Sequence, residues 1–184
     1  MTKKKALIYL IIFIAAVWSS AIFRYLVLND PAQKLAPECK MVVSTQCQQY
    51  VLKLSAEKKY EEAIQIQKIR IKENESILKF YKSKLTNKKL LKMDSKEAQE
   101  SLLSVMDTKE GKKDYFLLKT AEFTVKDILT DSLAVSQIQY SEFNDKKNAI
   151  KILKHAQKIL NQNTYVSNRE DLLKIIDKEM SEIK

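Results

Sequence analysis

The 184-residue chain holds one histidine, two cysteines and one glycine, and that inventory bounds its chemistry. His155 stands between Lys154 and Ala156 in a helical pattern. No Ser, Cys or Asp has a motif-like relation to it, so it reads as a partly exposed helix residue rather than a catalyst. A His/Cys metal centre needs more ligands than this sequence supplies. Phosphate loops of the GxxxxGK and GxGxxG types need more than one glycine. Asp127 and Asp131 are four apart and share a face if their helix is unbroken, a spacing common on solvated surfaces. The expectation is a protein that is not an enzyme and carries no cofactor and no metal.

Cys39 and Cys47 are eight residues apart. Within one helix their rise alone is about 12 Å, too far for a disulfide. If Cys39 still lies in the turn that follows Pro37, the chain can fold back and a bridge forms. An intramolecular bridge, buried free thiols and an intermolecular bond are the three open readings. An oxidising compartment favours the first.

Charge is the remaining signal. The net charge is +10, but residues 1–28 carry four Lys/Arg and no acid. Residues 29–184 therefore carry 29 basic against 23 acidic residues, a net of +6. Most of it is interspersed along helix faces. The exception is the stretch 79–92, KFYKSKLTNKKLLK, with Lys79, Lys82, Lys84, Lys88, Lys89 and Lys92, no acid, and Phe80, Tyr81, Leu85, Leu90 and Leu91 between them. A basic amphipathic stretch of this kind lies on anionic lipid or grips an acidic partner. Its plain alternative is a solvated helix end whose apolar residues enter the core. Only Arg24, Arg70 and Arg169 are arginines, which weakens phosphate and base readout, so no nucleic-acid partner is expected.

The elements that must carry these residues are helices. One glycine and two prolines, where an average chain of this length has about thirteen and nine, leave too few turn residues for a sandwich, a barrel or a Rossmann domain. Residues 6–23, ALIYLIIFIAAVWSSAIF, form an uncharged run behind Lys3, Lys4 and Lys5. Eighteen helical residues span about 27 Å, and the residues after Arg24 extend the apolar length toward the roughly 30 Å of a bilayer core. The reading is a membrane anchor over 1–28, with a cleavable signal peptide as its rival because Ser19, Ser20 and Ala21 are small. Three lysines in a short tail place the N-terminus in the cytoplasm and the bulk of the chain outside. Richness in Lys, Ile and Asn resembles that of AT-rich bacterial genomes, so the compartment expected is the periplasm.

A linker over 29–37 holds both prolines, and a helical domain over 38–184 follows. Helices are expected over 38–54, 58–85, 94–106, 114–143, 145–160 and 167–183. Asp94 with Glu97 and Ser167 with Glu170 read as capping boxes. Gly111 marks the expected turn over 107–113, and Thr130 and Asp131 mark a break in the fourth helix. Ile64, Ile71, Leu78 and Leu85 form a seven-residue series, while its partner positions Tyr60, Gln67, Asn74 and Tyr81 are half polar.

Leu133, Tyr140, Ala149, Leu153 and Ala156 are spaced 7, 9, 4 and 3 apart. This resembles the tetratricopeptide helix pair, in which small alanines let two helices approach closely. The segment from Lys59 to Ile64 resembles the start of that motif's second helix. There Gln67 and Arg70 stand where a large apolar residue and Ala are expected, and the motif's usual glycine is missing at Val51 and Gln137. The fold class expected is all-α: a transmembrane helix followed by a tetratricopeptide-like helical domain or an irregular bundle. The resemblance implies a scaffold, adaptor or accessory subunit of a bacterial envelope complex that works through a protein partner or as a homo-oligomer. The alternative is a lipid- or polymer-binding module that uses residues 79–92.

Overall fold

The computed structural model describes residues 45–183, and these fold into α-helices without a strand. The expected anchor over 1–28, the linker over 29–37, the start of the first helix and Cys39 lie outside the described residues. Among those described, no helix is long and apolar enough to cross a membrane. The chain divides into two compact units, residues 1–50 and 51–184. The described part of the first is the opening of helix α1 (Thr45–Ala56).

The second unit continues through α2 (Tyr60–Lys84), a 3-10 turn (Lys88–Lys92), α3 (Ser95–Leu103), α4 (Lys109–Ser141), α5 (Lys146–Asn161) and α6 (Arg169–Glu182). Local chemistry sets most of these boundaries. Glu61 and Glu62 open α2 and Lys82 and Lys84 close it, each charge opposite in sign to the helix dipole end it sits on. Asp94 accepts from the backbone of Lys96 and Glu97 at 2.9 Å each, and Glu97 accepts in return from the Asp94 N–H at 3.2 Å. That is the capping box expected at this position. Asp145 caps α5 through the Asn148 N–H at 3.2 Å.

Three expectations are corrected. Gly111 does not turn the chain; it lies in the first turn of α4, whose cap is Thr108, with the Gly111 N–H donating to Thr108 Oγ1 at 2.9 Å. A Cβ at Gly111 would sit 2.0 Å from the carbonyl oxygen of Val105, so the residue is needed for close approach, not for an unusual φ. Helix α4 also runs unbroken through Thr130 and Asp131, because Asp131 is occupied by a partner on α2. Ser167 does not cap α6. Asn168 occupies the cap position in a left-handed conformation, φ 56°, without a side-chain cap hydrogen bond, while the Ser167 hydroxyl and N–H both donate to Glu122 on α4.

The core is a layer of α2, α4 and α5 with α6 added against α5. Helices α2 and α4 run antiparallel. At one end the backbone N–H groups of Thr86 and Asn87 donate to the Asp114 carboxylate at 2.7 Å each, and further along Arg70 meets Asp131. The seven-residue series Ile64, Ile71, Leu78 and Leu85 is buried in this layer with Leu117, Leu118, Val125, Ile128 and Leu129 of α4. Its partner positions Gln67 and Asn74 are buried as well, so the half-polar seam of the sequence is the inner face of a helix pair within one chain. On α5 the buried stripe is Ala149, Leu153 and Ala156, none more than 2% exposed. The alanines keep side-chain bulk out of the contact with α4.

Candidate functional site

The end of α2 and the end of α5 flank a groove of about 480 Å³. Leu78 and Ile159 give it an apolar floor, and Lys79, Lys82 and Lys88 stand among its lining residues. Two polar contacts hold its walls together. His155 Nε2 on α5 donates to Glu75 Oε1 on α2 at 2.6 Å. Lys82 Nζ donates to Asn163 Oδ1 at 3.0 Å. Asn163 is 2% exposed and is bonded throughout: its Oδ1 also accepts from the Tyr165 hydroxyl at 2.9 Å, and its amide donates to the Ile159 carbonyl at 2.6 Å. Burial pushes the Lys82 ammonium below its ordinary value, since the charged form loses water that the groove does not fully replace. An incoming carboxylate would restore that loss.

The six lysines of the basic stretch do not act as one surface. Lys88 folds back and donates to the carbonyls of Lys82 and Ser83 at 2.6 Å each, closing the C-terminus of α2. Lys82 is committed to Asn163. Lys84 lies 5.4 Å from the centre of the Phe80 ring. Lys79, Lys84, Lys89 and Lys92 are exposed, whereas Leu85 and Leu90 between them are buried. The stretch therefore contributes both to the core and to a basic rim.

Two further polar assemblies stay inside the bundle. Arg70 Nε lies 3.1 Å from Asp131 Oδ2, with side chains 3% and 4% exposed. Burial pushes the Asp131 carboxyl up to about 6, against the pull of the Arg70 guanidinium, and the Asp127 charge adds a smaller push. Asp127, one turn earlier on the same unbroken helix, is exposed. On the other face of α4, Glu122 accepts from Lys119 at 3.0 Å, from Lys126 at 2.9 Å and from Ser167. Burial works against the Glu122 charge, but these hydrogen bonds outweigh it and hold the carboxyl down at about 2.

Cys47 is fully buried and disulfide-bonded; the other cysteine of the sequence, Cys39, lies outside the described residues. Among the described residues no group of three or more His, Cys, Asp or Glu is placed to hold a metal ion.

The basic stretch lies at the end of α2 where the groove opens. The sequence did not reveal Asn163, the Glu75–His155 bond or the Arg70–Asp131 pair, since each joins residues 61 to 81 positions apart. The one local signal was Arg70, a charge on the apolar stripe of a helix. No known protein family, curated protein or solved structure matches the chain.

Proposed function

We propose that the chain is a single-pass membrane protein, anchored through residues 6–28 with its N-terminus in the cytoplasm. Its helical domain works on the far side of a bacterial inner membrane, where Cys39 and Cys47 bridge. The domain is a scaffold or adaptor, an accessory subunit of an envelope complex, and its partner is a protein. The groove at the end of α2 carries this reading. It has an apolar floor at Leu78 and Ile159, walls pinned by buried Asn163, and a rim that presents Lys79 with a partly desolvated Lys82. Such a surface accepts an apolar side chain of a segment whose flanking residues are acidic. The small-large-small stripe of Ala149, Leu153 and Ala156 supports a tetratricopeptide-like hairpin from the α5 side, although Tyr140 is 36% exposed and does not wedge between the helices.

A lipid-surface reading is the weaker one, because Lys82 is committed to Asn163 and Lys88 to the backbone carbonyls of Lys82 and Ser83. Exposed Lys79, Lys84 and Lys89 are the residues to reverse, since Lys82 and Lys88 also hold the fold. The triple change to Glu abolishes recovery of the protein partner from native membranes and leaves helical content by circular dichroism unaltered. Unchanged recovery would remove the groove from the account.

A further inference from the structure

Helix α4 carries two phenylalanine rings out to solvent: Phe116 and Phe123 are each 65% exposed. Seven residues of helix put about 10.5 Å between them along the axis. Lys112 and Asp127, both exposed, lie one turn outside the pair on either side. At 3.6 residues per turn these four residues fall within a sector of about 60°. The buried residues Leu117, Ala121, Val125 and Ile128 take the opposite side of the helix, in the core. We infer that the outer face of α4 is the contact between two copies of the chain, paired antiparallel about a two-fold axis near Lys119 and Thr120.

The spacing is the first argument. Lys112, Phe116, Phe123 and Asp127 are separated by 4, 7 and 4 residues, a series that reads the same in both directions. A two-fold axis through its centre sets Phe116 against Phe123 of the second copy, twice over, and Lys112 level with Asp127 of the second copy. The face is therefore complementary to itself, which selects a second copy over an unrelated partner.

Charge is the second argument, and it fixes the direction. Parallel helices would set Lys112 beside Lys112 and Asp127 beside Asp127, whereas antiparallel helices place an opposite-charge pair at each end of the aromatic contact. Neither side chain makes a hydrogen bond or ion pair with a described residue. Other charges of α4 are engaged within the chain: Lys119 and Lys126 by Glu122, and Asp131 by Arg70. Lys126, which the axis sets level with Lys113, is thus neutralised before the copies meet.

Area sets the strength. Four such rings withdraw on the order of 500 Å² from water. The stems of both lysines, with Thr120 and Thr130, bring the contact toward the ~1,000 Å² at which specific interfaces begin. The dimer is accordingly weak, with a dissociation constant of roughly 1–100 μM. No residue of this face lines the groove at the end of α2, so the inference needs no part of that reading.

The test is sedimentation equilibrium of the full chain in a density-matched detergent, from about 1 to 200 μM. The wild type shows a reversible monomer–dimer equilibrium. Phe116→Ser/Phe123→Ser weakens it by at least about tenfold. Lys112→Glu and Asp127→Lys each weaken it by about fivefold, and the two together restore it to within about twofold, because the swap rebuilds both opposite-charge pairs. All these residues are exposed, and circular dichroism shows each variant with the helical content of the wild type. The proposal is overturned by a wild type that stays monomeric throughout, or by a double serine variant that dimerises as the wild type does. A charge-swapped variant no tighter than either single one overturns the antiparallel pairing and the proposal with it. A monomeric wild type that binds phosphatidylglycerol vesicles through Phe116 and Phe123 overturns it in favour of a lipid surface.

Discussion

Glu122 and Asp131 lie nine residues apart on α4 and are held in opposite protonation regimes by what surrounds them. Three side chains donate to Glu122, so its folded-state value lies near 2, below the 4.5 of the free group. Its contribution to stability is therefore present above pH 4.5 and is lost as pH falls toward 2. Asp131 is raised from 3.8 to about 6, so the stability linked to it is present below 3.8 and is lost as pH rises through 6. Urea unfolding between pH 7 and 2 should show stability rising at first and then falling below about pH 4.5. In Glu122→Gln the falling limb should flatten, and at pH 7 the variant should lose roughly 2 kcal/mol. An acid limb equally steep in the variant would mean that Glu122 is not the group titrating. Gly111 shows the limit of reading single residues: the only glycine suggested a turn, but the carbonyl that excludes a Cβ there belongs to Val105, and only packing reveals it.

Between elements, the α2–α4 contact is the joint that organises the bundle, and a buried ion pair sits inside it. Removing one partner strands a charge, whereas replacing both removes the desolvation cost as well. Arg70→Met should lower stability by about 3–5 kcal/mol. Adding Asp131→Leu should bring it back to within about 1 kcal/mol of the wild type or above it. If the double variant stays as unstable as the single one, the pair contributes more than mutual neutralisation. Helices were legible at this scale because their signals are local. The Asp94 and Glu97 box and the heptad series of α2 each depend on residues within two turns of one another. The break expected at Thr130 and Asp131 was a misreading of the same kind of signal. A polar dipeptide in a helix looks like a stop until its partner, 61 residues away, is in view.

For the whole molecule, the all-α class followed from the shortage of glycine and proline, but the arrangement of grooves did not follow from any pattern. The basic stretch 79–92 is continuous in sequence and divided in space: two of its lysines brace the fold, and the others form a rim. Pairing of α2 side chains with His155 of α5 and with Asn163 just beyond its end holds the groove together, and such pairing depends on how the helices stack. The central claim is that this groove receives a protein segment. Its most direct test is a photo-crosslinking residue in native membranes, placed at Ser83 in the groove and, as a control, at exposed Lys151 on α5. The account predicts one stoichiometric protein adduct from position 83, with crosslinks to an acidic stretch of the partner, and no such adduct from position 151. Lipid adducts alone from position 83, or the same protein adduct from both positions, would contradict it.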